Sequence, residues 1–293
     1  MRMTRREDDG SEGTPVERDT RSASESANRK VWAHVGEVAR FASAQGWIDR
    51  SERVLLERIT KEYVGGDVLD VGVGGGRTVP LLSPSAARYV GIDFVPELVT
   101  AANKRFPDAD IRVGDARHLD FPDESFDLAV FSINGIDAIS HSDRAIALRE
   151  IRRVLRPTGA FVFSTHNSEG PGPRERPWSM PPVSVRQPRS SARTVLRRVM
   201  RFRTSMTNYR ASVAMNEVGP DWMITSSGAH DFGLVLHYTT ASAVQAELRD
   251  SGFAGAIELW DDRVGLPLGR ARPERQWWYF NVLARCSAVE GTF

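Results

Sequence analysis

The sequence predicts an α/β protein built on a doubly wound, mostly parallel sheet. Three observations carry this expectation. Short apolar runs of strand length alternate with helical patterns between residues 68 and 165, which is the pattern of strand–helix–strand units. A glycine-rich break, "VGVGGGRT" (71–78), directly follows the first run, where a parallel strand turns into its helix. Late in the chain, "AIELWD" (256–261) and "QWWYFNVLARC" (276–286) have no helix pattern between them, so they read as an antiparallel edge hairpin.

In chain order, residues 1–27 mix charges, Ser, Thr and Gly with almost no large apolar side chain. Burial cannot offset their ordering entropy, so a disordered tail is expected, followed by one domain over 28–293. From Asn28, the apolar residues Val31, Trp32, Val35, Val38 and Ala39 recur at helical spacing. A second helix starts near Asp49, with Ser51 as the alternative cap, and carries Val54, Leu55, Arg58 and Ile59. The strands are "VLDV" (68–71), "YVGID" (89–93), "IRV" (111–113), "FDLAVF" (126–131) and "AFVFST" (160–165). Between them lie helices that include "VPELVTAANKRF" (95–106) and "DRAIALREIRRVL" (143–155). Pro157 and Gly159 stop the latter and turn the chain into the fifth strand. From about Asn167 to Asp231 the rhythm breaks. "SEGPGPRERPWSMPP" reads as loop and "RSSARTVLRRVMRFRTSM" as a basic helix, so 167–231 is expected to be an inserted lid. A last helix over "YTTASAVQAELRDSGF" (238–253) leads to the edge hairpin.

The totals exclude several classes. A formal net charge of +1 gives no global field for nucleic acid or membrane. Cys286 is the single cysteine, so there is no internal disulfide and no cysteine-rich zinc site, and a reducing cytoplasm is the expected compartment. No run approaches the eighteen or so apolar residues of a membrane span, and no leader is expected at the N-terminus. The sequence leaves a homo-oligomer open.

The glycine loop carries the chemistry. Glycine permits positive φ and lets a ligand approach the backbone, and a strand-to-helix loop offers free N–H groups. A tight turn in any doubly wound protein also explains such glycines. A nicotinamide fingerprint does not fit, since its third glycine would fall on Arg77. Asp93 ends the second strand, where a carboxylate can accept from ribose hydroxyls. Asp115 and Ala116 follow the third strand, positioned to read an adenine amino group. "SING", beginning at Ser132, follows the fourth and closes over the ligand's remaining end. These loops all lie at the carboxyl ends of parallel strands, where open α/β sheets bind ligands.

On these residues, the stretch from Asp67 to His166 resembles the class I S-adenosylmethionine-dependent methyltransferases, about a third of the chain with five motifs in order. The resemblance implies a seven-stranded Rossmann-like sheet with an antiparallel edge. It implies that Asp70, Gly72, Gly74 and Gly76 hold the methionine end of S-adenosylmethionine, that Asp93 holds the ribose with Phe94 beside the adenine, and that Asp115 and Ala116 read the adenine. Ser132, Ile133 and Asn134 match the family's fourth-strand motif. Trp47 precedes the first motif, where it packs near the cofactor or simply pins two helices together.

An alcohol or amine acceptor needs a proton removed, for which histidine is the natural side chain. Of six histidines, His166 follows the fifth strand on the ligand edge and is the first candidate base. His230, with Asp231 to orient it, is the second. His34 reads as structural or exposed, His118 lies in a surface-like loop, His141 begins a helix near its cap, and His237 with His230 frames "HDFGLVLH", where the insertion rejoins the core. Asp137, Asp143 and Asn167 are scattered acceptor-side metal candidates that form no compelling set. Residues 170–210 hold ten arginines and one acid, Glu175. They suit a solvated face, an anionic acceptor or surface, or RNA, and Trp178, Met200, Phe202 and Met206 would let the segment act as an apolar lid. The expected partner is a small-molecule acceptor, foremost a hydroxyl of a sugar-containing or other hydroxylated natural product. RNA or protein methylation and a non-catalytic cofactor-binding regulator are the rival readings.

Overall fold

The computed structural model describes residues 15–34, 36–39, 48–179, 192–263, 265–267 and 276–287. Its helices are α1 (Pro15–Trp32), α2 (Arg50–Glu62), α3 (Val79–Leu82), α4 (Pro96–Arg105), α5 (His141–Val154), α6 (Ala192–Ser212) and α7 (Ala241–Asp250). Its strands are β1 (Asp67–Val71), β2 (Arg88–Asp93), β3 (Asp110–Val113), β4 (Phe126–Phe131), β5 (Leu155–Asn167), β6 (Glu217–Val218), β7 (Trp222–Ser226), β8 (Val235–Thr239), β9 (Ile257–Trp260) and β10 (Tyr279–Arg285).

Helix starts follow their caps. Asp49 accepts from the Glu52 N–H at 2.9 Å, so it and not Ser51 caps α2. Ser140 and Thr240 cap α5 and α7 in the same way. Each of these bonds satisfies one of the N–H groups that the first turn leaves without a helical partner.

Strands β3-β2-β1-β4-β5 pair in parallel in that order. β10 runs antiparallel beside β5, and β9 runs antiparallel beside β10. The expected doubly wound sheet with its edge hairpin is therefore present. The strand order reverses between β1 and β4, and that switch point is where such sheets open a ligand crevice. One apolar layer packs Ala147, Leu148 and Ile151 of α5 and Val244 and Leu248 of α7 against the sheet. The other packs Leu55, Leu56 and Ile59 of α2 and Val99 and Ala102 of α4.

Two elements differ from the sequence expectation. The chain is already helical from Pro15, within the segment expected to be a disordered tail. The anchor lies at the end of α1: the buried Asn28 side chain donates to the Val235 carbonyl at 2.7 Å and accepts from the Val235 N–H at 2.8 Å. Polar composition gives no sign of such a distant tie. Residues 1–14 and Trp47 lie outside the described residues.

The insertion, expected as loop and helix, also supplies β6 and β7. β7 pairs antiparallel with β8, and β8 joins the tip of β5 through His166↔Tyr238 and Asn167↔Thr239. The sheet thus has ten strands, three of them built above the edge where the crevice opens.

Candidate functional site

A cavity of about 400 Å³ lies at the carboxyl ends of the parallel strands, bounded by α1, the glycine loop, the loops after β2, β3 and β4, and the approach to β8. Gly72, Gly74 and Gly76 all have positive φ, but they answer to different constraints. A Cβ on Gly72 would lie 2.5 Å from the Phe131 ring, and one on Gly76 would lie 2.5 Å from the Phe106 ring. A Cβ on Gly74 would meet nothing nearer than the Gly72 carbonyl at 4.0 Å, on the cavity wall. Gly72 and Gly76 keep the loop packed, whereas Gly74 leaves room for a ligand.

Asp93 ties that loop down. It accepts from the Gly74 N–H at 2.9 Å and from the Val95 N–H at 2.8 Å, and burial still pushes its carboxyl up to about 6. Each oxygen keeps a lone pair for a ligand hydroxyl. Asp70 lies fully buried beneath the loop. Its Oδ2 accepts from Thr78 at 2.5 Å and Tyr89 at 2.8 Å, its Oδ1 has no partner, and desolvation pushes it to about 6. A bare glycine on the cavity wall and a carboxylate at the second strand tip fit the cofactor that the resemblance implies; Asp70, beneath the loop, does not line the cavity.

Phe94 and Trp32 form an edge-to-face pair at 5.7 Å on the cavity wall. Ala116 is buried there as well. The Asp115 carboxylate lines the cavity and is shared with Arg117. Arg117 clamps it through Nε and Nη2, and those bonds outweigh the upward push of burial to leave its carboxyl below the usual range. Arg117 also reaches Glu25 of α1 and Asp143 of α5. The β4 loop is held in a left-handed conformation at Ile133 and Asn134. Ser132 accepts from Arg77 at 2.9 Å, and Arg77 forms a buried two-point pair with Glu52 of α2.

His166 lines the same cavity. Its Nδ1 and its backbone N–H both lie 2.7 Å from Asp137 Oδ2, while Asp137 Oδ1 accepts from Arg144 at 2.8 Å and Thr165 at 2.6 Å. A carboxylate at Nδ1 fixes the proton there and leaves Nε2 as an acceptor. Nε2 sits 3.3 Å from the Asn134 side-chain nitrogen. This arrangement is what a general base requires.

His230 also lines the cavity, but its expected partner is wrong. Asp231 accepts from Arg201, and His230 Nδ1 instead pairs with Glu37 at 3.0 Å. Both residues have φ near +50°, a tight turn that points neighbouring side chains apart. The three metal candidates do not gather. Asp137 serves His166 and Arg144, Asp143 meets Arg117, and Asn167 accepts from the Glu169 N–H and donates to the Trp277 carbonyl. Of the expected lid residues, Trp178, Met200 and Phe202 are exposed.

Arg77, Glu52, Trp32 and Asn28 escaped the sequence reading as site residues. Asp137 reads from the sequence only as a scattered metal candidate, not as the partner of His166. The others carry no local signal, because their partners lie far along the chain.

Residues 69–163 match a family model described as a methyltransferase domain. A probable S-adenosylmethionine-dependent methyltransferase of Mycolicibacterium smegmatis is 36% identical over 128 residues, 43% of this chain and 48% of that one. A phosphatidylethanolamine N-methyltransferase of Cereibacter sphaeroides is 37% identical over 115 residues, 37% of this chain and 55% of that one. The chain thus spans about half the length of these relatives. Among solved structures, a Thermotoga maritima methyltransferase described as a possible histamine N-methyltransferase superposes with a TM-score of 0.52 at 15% identity, covering 89% of this chain and all of that one. A Mesorhizobium loti S-adenosylmethionine-dependent methyltransferase gives 0.51 at 20% identity, covering 80% and 97%. At such identities the likeness is one of fold.

Proposed function

We propose, from the match of residues 69–163 to a methyltransferase-domain family model, that this chain is an S-adenosylmethionine-dependent methyltransferase that methylates a hydroxyl of a small molecule. The finer acceptor class we infer is a sugar-containing or other hydroxylated natural product. The observation that carries the reading is that the Asp137–His166 pair and the Gly74–Asp93 cradle open on one cavity.

When bound, S-adenosylmethionine supplies an electrophilic methyl group. Gly74 suits its methionine end, with Asp70 holding Thr78 and Tyr89 beneath the loop, Asp93 suits its ribose, and Phe94 with Ala116 its adenine. His166 Nε2 accepts the proton that the acceptor hydroxyl must lose. Asp137 holds the ring and balances the imidazolium charge that results. Asn134 Oδ1, buried and unpartnered, gives the protonated Nε2–H an acceptor once the amide turns over. The lining beyond the cradle mixes Ser227 and His230 with Ala138, Ile139, Leu234 and Leu236. Such a surface suits a ligand with both hydroxyls and apolar faces. The segment 167–231, part of which supplies this wall, acts as the acceptor-selecting region.

The test is a labelled methyl-transfer screen over glycosides, other polyols, phenols and amines, followed by His166→Ala. Turnover is expected to fall about a hundredfold or more, with cofactor affinity by calorimetry nearly unchanged and the histidine limb of the pH–rate profile lost. Wild-type turnover at saturating acceptor would remove His166 from the chemistry. Turnover on amines alone would overturn the hydroxyl assignment.

A further inference from the structure

Arg144 leads from the His166 pair to a second group of ionisable side chains outside the cavity. It is fully buried, and besides Asp137 and Thr165 it donates to Glu247 of α7 at 2.9 Å. Beside Glu247 stand His141, at the first turn of α5, and His237, buried in the middle of β8. We propose that His141, His237 and Glu247 bind a divalent cation of the zinc type and that the ion staples α5, β8 and α7 together.

The geometry supports this. One ligand atom from each residue lies within 4.8 Å of the others. His141 Nδ1 and His237 Nε2 are 3.1 Å apart. Two imidazoles on one tetrahedral ion, with bonds of about 2.0–2.1 Å, stand about 3.3 Å apart. The set His, His and Glu is one that zinc accepts, with a fourth position for water. His141 is fixed in plane by stacking on Trp222 at 3.9 Å, and His237, fully buried on a strand, has no freedom to turn to solvent.

Charge favours a cation as well. Arg144 carries one positive charge between two carboxylates, Asp137 and Glu247, so the group is one negative charge in excess.

The ion would lie off the cavity. Its role is structural: it fixes the strand that joins the tip of β5 and, through Arg144, the carboxylate behind His166.

The experiment uses the full, tag-free chain, stripped with chelator and titrated with Zn²⁺ alone. One zinc per chain by elemental analysis, a rise in melting temperature, and a tetrahedral cobalt spectrum on substitution are expected. His141→Ala and Glu247→Gln should each weaken zinc binding by at least about tenfold, while His118→Ala, on an exposed loop, should not. Circular dichroism checks that each variant is folded, and the cobalt spectrum decides if one is not. No stoichiometric zinc, or wild-type affinity in both variants, would overturn the site and leave the His166 assignment untouched.

Discussion

Gly72 and Gly74 differ by two positions and by what a methyl group would meet. Gly72→Ala drives a Cβ into Phe131 at 2.5 Å and forces an alanine to φ +66°, so the expected result is a loss of about 1–3 kcal/mol in urea unfolding. Gly74→Ala carries the backbone strain but no clash. The fold should persist while cofactor affinity falls, and calorimetry on the two variants separates the roles. Asp93 sets a pH dependence. Its folded-state pKa of about 6 lies above the usual carboxylate value, as does that of Asp70. The stability linked to each is therefore full below about pH 4 and is lost as pH rises through 6. Acidification from pH 7 to 5 should raise the ligand-free stability contributed by these two groups. The same step protonates Asp93 and weakens its acceptance of ribose hydroxyls, so cofactor affinity should fall through pH 6. In Asp93→Asn, titration calorimetry should find that trend flattened.

At the scale of elements, α1 shows how a polar segment becomes part of a site. Trp32 and Glu25 reach the cavity from it, and Glu25 helps hold Arg117. The tie is Asn28 on the backbone of β8. Asn28→Ala leaves the Val235 N–H and carbonyl unpaired in a buried place, a cost of about 1–3 kcal/mol for each group left unpaired. Hydrogen exchange should find α1 opening locally while β1 and β4 stay protected, and cofactor affinity should drop with it. α6 plays a similar part for the cavity wall. Asn208 donates to the Asp231 carbonyl and Tyr209 packs edge-on against Phe232, fixing the turn that contains His230. The five parallel strands and the helices after β2 and β4 were legible in 67–167, where apolar period and glycine position agree, although β5 already begins at Leu155, through the Pro157 and Gly159 expected to form a turn. The partners of α1 and α6 were not, because those contacts join residues far apart in the chain.

Across the whole molecule, Arg144 is the point where the parallel sheet, the covering helices and the inserted strands meet. It lies on α5, binds the Asp137 that follows β4, reaches Thr165 on β5 and grips Glu247 on α7. Arg144→Met removes one charge and strands two carboxylates. The expected loss is about 3–5 kcal/mol, read as a lower urea midpoint, and His166 should lose turnover at the same time. An unchanged midpoint would mean that the buried network contributes nothing to the fold.

The sequence by itself determined the α/β alternation and the parallel sheet with an antiparallel edge, and it singled out the glycine loop and strand tips, of which Gly72, Gly74, Asp93 and Asn134 line one cavity. These are local properties: residue period, a glycine break and an acid at a strand tip are written within a few positions. Tertiary structure alone decided that Asp137, not Asp231, orients a histidine at the cavity, that Arg117 pairs with Asp115, and that the insertion adds strands beside the tip of β5. It also decided that His141 and His237, unremarkable in the chain, face each other. Each of these depends on which side chains meet after β8 docks on the tip of β5, and a pairing between residues a hundred positions apart leaves no periodic trace in the sequence.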